Sequence, residues 1–123
     1  RLFAPNFSKE SEILEEIKPH NDEVVISKGC SSPFNGSNIE QILNNMGIRN
    51  LIFSGVVTNY CVENSVRDAT DLNYNVILLR DACAAFSREN DEFAMSILDG
   101  GTCHVKTTDQ IIQIINNTDY ASR

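Results

Sequence analysis

This sequence of 123 residues predicts a three-layer α/β/α fold, a parallel sheet with helices on both faces. Three observations carry that expectation. The runs Val24-Val-Ile26, Leu51-Ile-Phe53 and Val76-Ile-Leu-Leu79 are apolar without polar alternation, the pattern of strands buried on both faces. The segments around them have helical periodicity with recognisable caps. No repeat, low-complexity run or Pro/Gly/Ser-rich linker divides the chain, so residues 1–123 read as one compact domain.

Taken in order, a short first helix spans Ser11–Ile17 and stops before Pro19, which cannot continue it. The run Val24–Ile26 follows as the first strand. Ser37-Asn-Ile-Glu40 reads as a capping box; Ile39, Ile42, Leu43 and Met46 then share a face, and Gly47 closes the helix. After the strand Leu51–Phe53, a stripe of Val62, Val66, Ala69 and Leu72 opposes Glu63, Arg67, Asp68 and Asp71. The strand Val76–Leu79 leads to a third helix with Phe93, Ala94, Ile97 and Leu98 inward, ended by Gly100-Gly101. Cys103-His-Val105 is a weaker fourth strand. Thr107–Gln110 caps a last helix, with Ile111, Ile112 and Ile115 inward.

A formal net charge of −7 argues against nucleic acid, whose phosphates it would repel, and against anionic membrane surfaces. No stretch approaches the roughly 20 apolar residues of a membrane span, and no secretory signal pattern occurs. The cysteines at 30, 61, 83 and 103 form no Cys-x-x-Cys pair and have no zinc-type spacing to histidine. They read as reduced thiols of a cytoplasmic protein, with no metal and no cofactor.

Ligands of parallel α/β sheets bind at the carboxyl ends of the strands, which directs attention to the residues after Ile26, Phe53 and Leu79. After the second strand the chain runs Ser54-Gly-Val-Val-Thr-Asn-Tyr-Cys61 and enters a helix with Thr58 or Asn59 as N-cap. Cys61 then sits in the first turn, where the positive helix terminus favours thiolate and unpaired N–H groups can hold an oxyanion. A packing cysteine fits the same position. Lys28 follows the first strand, where it reads either as a partner of developing negative charge or as a solvated strand-end lysine. Asp81 reads as a turn-capping residue, and His20 and His104 are isolated in the sequence.

Here the residues match a family. The segments Gly55-Val-Val-Thr-Asn-Tyr-Cys-Val-Glu-Asn-Ser-Val-Arg-Asp-Ala69, Asn73-Tyr-Asn-Val76 and Asp81-Ala-Cys-Ala-Ala85, with Lys28, Ser32-Pro-Phe34 and Gly36-Ser-Asn-Ile39 upstream, resemble the isochorismatase-like cysteine hydrolases over residues 22–115. The resemblance implies a Rossmann-like sheet of order 3-2-1-4-5-6, with strands 1 and 2 missing from this chain. It implies Cys61 as nucleophile, Lys28 as its triad lysine, and the backbone N–H groups of Val57 and Cys61 as the oxyanion hole, after a cis Val56–Val57 peptide. Asp81 matches a non-catalytic position. Tyr60, Phe34 and Asn59 are expected to border the substrate.

The activity so implied is hydrolysis of a C–N bond in a small amide or ureido compound through a cysteine thioester. The family's catalytic Asp falls upstream of the lysine, where the 27 residues preceding Lys28 show no strand-then-Asp pattern. The expectation is therefore an N-terminally incomplete domain, completed by an N-terminal segment or working as a homo-oligomer. The alternatives are a truncated, non-catalytic relative acting as a binding or oligomerisation partner, and isochorismatase-type ether hydrolysis.

Overall fold

The computed structural model describes residues 9–118; residues 1–8 and 119–123 of the single domain read from the sequence lie outside that range. Seven regular elements follow one another: α1 (Ile39–Asn45), β1 (Asn50–Val56), α2 (Glu63–Asp71), β2 (Asn75–Ala84), α3 (Arg88–Leu98), β3 (His104–Lys106) and α4 (Thr108–Asn117). The three strands form a parallel sheet in the order β1-β2-β3. The alternation of apolar runs with capped helices thus produces the expected α/β architecture with a parallel sheet.

The helix ends show why the chain turns where it does. Gly47 closes α1 at φ +69°, with its N–H on Asn44 O and the N–H of Ile48 on Leu43 O. Asn73 closes α2 in the same way at φ +63°, with Tyr74 N–H reaching Ala69 O. Both are Schellman ends, which place the αL residue just after the last turn. Thr107 and Gln110 form the capping box at the start of α4.

The core lies between β2 and the helices α2 and α3, with Val66, Leu78 and Leu98 fully buried at its centre. Phe34 and Leu43 pack against it from before β1, so the 30–36 loop is tied to the body of the domain.

Several elements differ from expectation. Val24–Ile26 forms no strand: a strand exists only as one side of a ladder, and no described strand runs beside it. Ser11–Ile17 is not an α-helix but two 3₁₀ turns, Lys9–Ser11 and Glu15–Ile17, and the side chains of Glu15, Glu16 and Ile17 are exposed. So short a segment, its apolar side chains exposed, does not repay helix nucleation. Ser37 does not cap α1 through a box. Its hydroxyl donates to Pro33 O and accepts from Ile39 N–H, and Asn38 takes the N-cap position.

The strand β1 is not buried on both faces, since Ile52 is 49% exposed and Val56 69%. In α3 the inward face is Ala94, Met95 and Leu98, while Phe93 (66%) and Ile97 (44%) look outward. In α4 Ile111 is buried and Ile112 and Ile115 are not.

Candidate functional site

At the carboxyl end of β1 the chain departs from regular structure for a physical reason. Up to Phe53↔Leu78 the two strands keep even register, and the next pairs are Gly55↔Cys83 and Val56↔Ala84. Between those points β2 carries extra residues as a bulge, which includes Asp81. Opposite it, Gly55 adopts φ +125°, which an L side chain rarely tolerates, and the Val56–Val57 peptide is cis. The next residues, Thr58–Val62, form one π-helical turn that runs into α2.

Cys61 belongs to that turn. Val57 is its N-cap residue, and its carbonyl accepts from the N–H groups of Tyr60 (3.0 Å) and Val62 (3.4 Å), which flank Cys61 in the chain. The Cys61 carbonyl accepts from Ser65 Oγ one turn on, and the Cys61 side chain is partly exposed. The thiol therefore sits in the first turn of a helical segment, at the carboxyl edge of a parallel sheet. Neither Thr58 nor Asn59 caps the helix. The wholly buried Thr58 gives its hydroxyl hydrogen to Asp91 Oδ1 on α3 instead. Asn59 has a buried carboxamide oxygen that meets no hydrogen-bond partner among the described residues.

The other expected site residues are placed as follows. Lys28 is exposed, and its Nζ donates to Cys30 O at 2.9 Å. Cys30 begins a polar cavity of about 300 Å³ lined also by Ser31, Ser32, Asn35, Asn64 and Asp68. Asn64 and Asp68 lie one turn apart on α2, three and seven residues beyond Cys61. The cavity thus joins the loop after Lys28 to α2, the helix that follows the Cys61 turn. Tyr60 is more than half exposed. Phe34 is packed inward, its ring 6.0 Å from that of Tyr74. A larger hollow of about 450 Å³ lies at the opposite edge, at the amino ends of β2 and β3. Its cysteine, Cys103, has its thiol pushed up to about 11 by burial and then by Asp99, which disfavours the thiolate.

Beneath the Cys61 turn, burial pushes the Cys83 thiol up. The Gly55 N–H works against that rise, and the carboxylates of Asp91 and Asp81 add to it. Asp91 is the residue that sequence reasoning missed. It lies in the first turn of α3 behind the N-cap Ser87, where an acidic residue reads only as helix-dipole chemistry. Its partner Thr58 lies 33 residues away, and no local pattern reports such a pair.

The family model of the isochorismatase domain matches residues 4–110. The chain belongs to the isochorismatase family. Among solved structures of the family, an isochorismatase-like hydrolase from Alkaliphilus metalliredigens is 32% identical with a TM-score of 0.90, covering 93% of this chain and 63% of that one. A cysteine hydrolase from Pseudomonas syringae pv. phaseolicola 1448A is 26% identical with a TM-score of 0.86, covering 90% and 57%. In sequence, the ureidoacrylate amidohydrolase RutB of Agrobacterium fabrum is 41% identical over 70 residues, 57% of this chain and 31% of that protein. YrdC of Bacillus subtilis, an uncharacterised isochorismatase family protein, is 32% identical over 122 residues, 90% of this chain and 65% of that protein. The chain therefore spans about a third of the RutB protein and just under two thirds of YrdC.

Proposed function

We propose that the protein is a hydrolase of the isochorismatase family that cleaves the C–N bond of a small amide or ureido compound, with Cys61 as nucleophile. The observation that carries this reading is the position of Cys61: partly exposed, in the first turn after Val57, at the carboxyl edge of the sheet. Relatives support it by their activities, since RutB is named a ureidoacrylate amidohydrolase and another similar structure is the nicotinamidase PncA of Bacillus subtilis.

In this reading Cys61 Sγ attacks the substrate carbonyl carbon, and the oxygen takes up negative charge beside the N–H groups of Val57 and Cys61. The tetrahedral adduct collapses by breaking the C–N bond, and the nitrogen leaves with a proton as amine or ammonia. Water then adds to the thioester carbonyl, the acid departs, and the thiol regains its proton. Lys28 supports the thiolate, which requires its Nζ to leave Cys30 O and turn toward the sulfur. Asn64, Asp68 and Asn35 offer hydrogen-bond acceptors suited to a substrate rich in N–H groups, as a ureido compound is. The catalytic Asp of the family is assigned to no described residue, and the activity is that of the domain completed by an N-terminal segment. We place that protein in the cytoplasm, acting as a homo-oligomer.

The test uses the full protein with ureidoacrylate and nicotinamide as separate substrates. One of them, or a close amide analogue, is expected to be turned over, and Cys61→Ala is expected to abolish that turnover. Activity retained in Cys61→Ala removes the cysteine from the mechanism. A non-catalytic binding role is the second reading, favoured by the engagement of Lys28 with Cys30 O. It predicts no turnover of any amide and no preferential reactivity of Cys61.

A further inference from the structure

We infer that Asp91 is the positioning residue of the turn that carries Val57 and Cys61, acting through the hydroxyl of Thr58. This rests on the reading of Cys61 as nucleophile and adds to it a residue from another element. Three observations meet at Asp91. The Thr58 side chain is fully buried, and its Oγ1–H donates to Asp91 Oδ1, a bond that ties α3 to the π-helical turn. Cys83, paired in register with Gly55 immediately before the cis peptide, feels the Asp91 carboxylate. Asp91 itself is partly buried and held at the start of α3, whose N-cap Ser87 accepts from Asn90 N–H.

Asp91 thus bonds Thr58, one residue after Val56–Val57, and its charge acts on Cys83, the register partner of Gly55 just before that peptide. Cys83 on β2 feels its charge together with that of Asp81, and in a hollow of about 640 Å³ that Asp91 helps to line stand Arg80, Glu92 and Asp99.

The role of Asp91 follows from what Thr58 does not do. A threonine at the head of a helix ordinarily caps it, lending its oxygen to an N–H two or three residues on. Here no side-chain cap forms, and the hydroxyl donates across to another helix. The N–H groups at the head of the turn are thereby left uncovered by Thr58, while the turn is held in place from outside. A buried hydroxyl that loses its acceptor must find another among the backbone groups around it. Removing the carboxylate therefore unties the turn from α3 and leaves the Thr58 hydroxyl to compete for backbone groups, which disturbs the directions of the N–H groups that the proposed chemistry needs.

The experiment compares wild type, Asp91→Ala, Asp91→Asn and Thr58→Val by amide hydrogen exchange and by the rate at which iodoacetamide alkylates Cys61 in the full protein. In Asp91→Ala and Thr58→Val, exchange at residues 58–62 is expected to rise about 10-fold or more relative to the amides of β2, and Cys61 alkylation to slow by a similar factor. Asp91→Asn keeps an acceptor and is expected to restore most of the local protection. The inference is overturned if exchange at 58–62 stays within about threefold of wild type in Asp91→Ala, or if it rises equally in β2, which would mean a loss of global stability alone. Failure of the nucleophile reading looks different: Cys61 of the wild type would be alkylated no faster than Cys30, while the exchange contrast would still decide the role of Asp91.

Discussion

Asp81 fastens the start of α4 to the bulge of β2. Its carboxylate accepts from Thr108 N–H at 2.9 and 3.1 Å and from Thr108 Oγ1 at 3.0 Å. These bonds, the backbone one foremost, hold its pKa below the ordinary 3.8. A depressed carboxylate pKa means stability that is present above the unfolded-state value and lost as pH falls through the folded-state value. Asp81→Asn is therefore expected to lower the urea midpoint at pH 7. That difference should narrow as the pH falls below the ordinary carboxylate range; a constant difference from pH 7 to pH 3 would contradict this role. The effect is modest because the group is exposed to solvent. The residue at the end of the β2 run is thus a structural anchor, as its type and place in the sequence suggest.

Among elements, α3 provides the sharpest test. Leu98 is fully buried against β2, whereas Ile97 is 44% exposed. Leu98→Ala is expected to cost about 2–5 kcal/mol of unfolding free energy, and Ile97→Ala within about 1 kcal/mol, measured by chemical denaturation. Comparable losses would mean that the helix is rotated. Gly47→Ala, at φ +69° after α1, is expected to cost about 1–2 kcal/mol. Elements whose cues are local were legible in the sequence: the Thr107–Gln110 box, the Gly47 stop, and the apolar runs of β1 and β2. Those whose cues depend on a partner were not. Phe93 and Ile97 have the right spacing for an inward face, but spacing fixes a stripe only to within a residue or so, and the cover on each side decides which residues are buried. Val24–Ile26 has the composition of a strand, without a neighbour to pair with among the described residues. Thr58 has the chemistry of an N-cap, and Asp91, distant in sequence, claims its hydroxyl. At the candidate site the local part, Cys61 in a first turn, was readable; the part supplied across the fold was not.

Across the whole molecule, the described residues leave one long edge of β1 without a partner and expose Val24, Val25, Ile52 and Val56. An unpaired strand edge flanked by apolar side chains invites association. The chain Arg1–Arg123 alone is expected to elute from size exclusion as species larger than 13.7 kDa, or to aggregate. A homogeneous folded monomer by light scattering would contradict that. The same edge runs into the end of β1 at Gly55–Val56, so the sheet leads directly into the turn that carries Cys61. The most direct test of the role of Cys61 is a time course of iodoacetamide labelling of the full protein at pH 7.5–8, resolved by peptide mass spectrometry. Cys61 is expected to react first, ahead of the more exposed Cys30 and far ahead of Cys83 and Cys103, whose thiols burial pushes up. Labelling that follows exposure alone, with Cys30 ahead of Cys61, would contradict the assignment of Cys61 as the nucleophile.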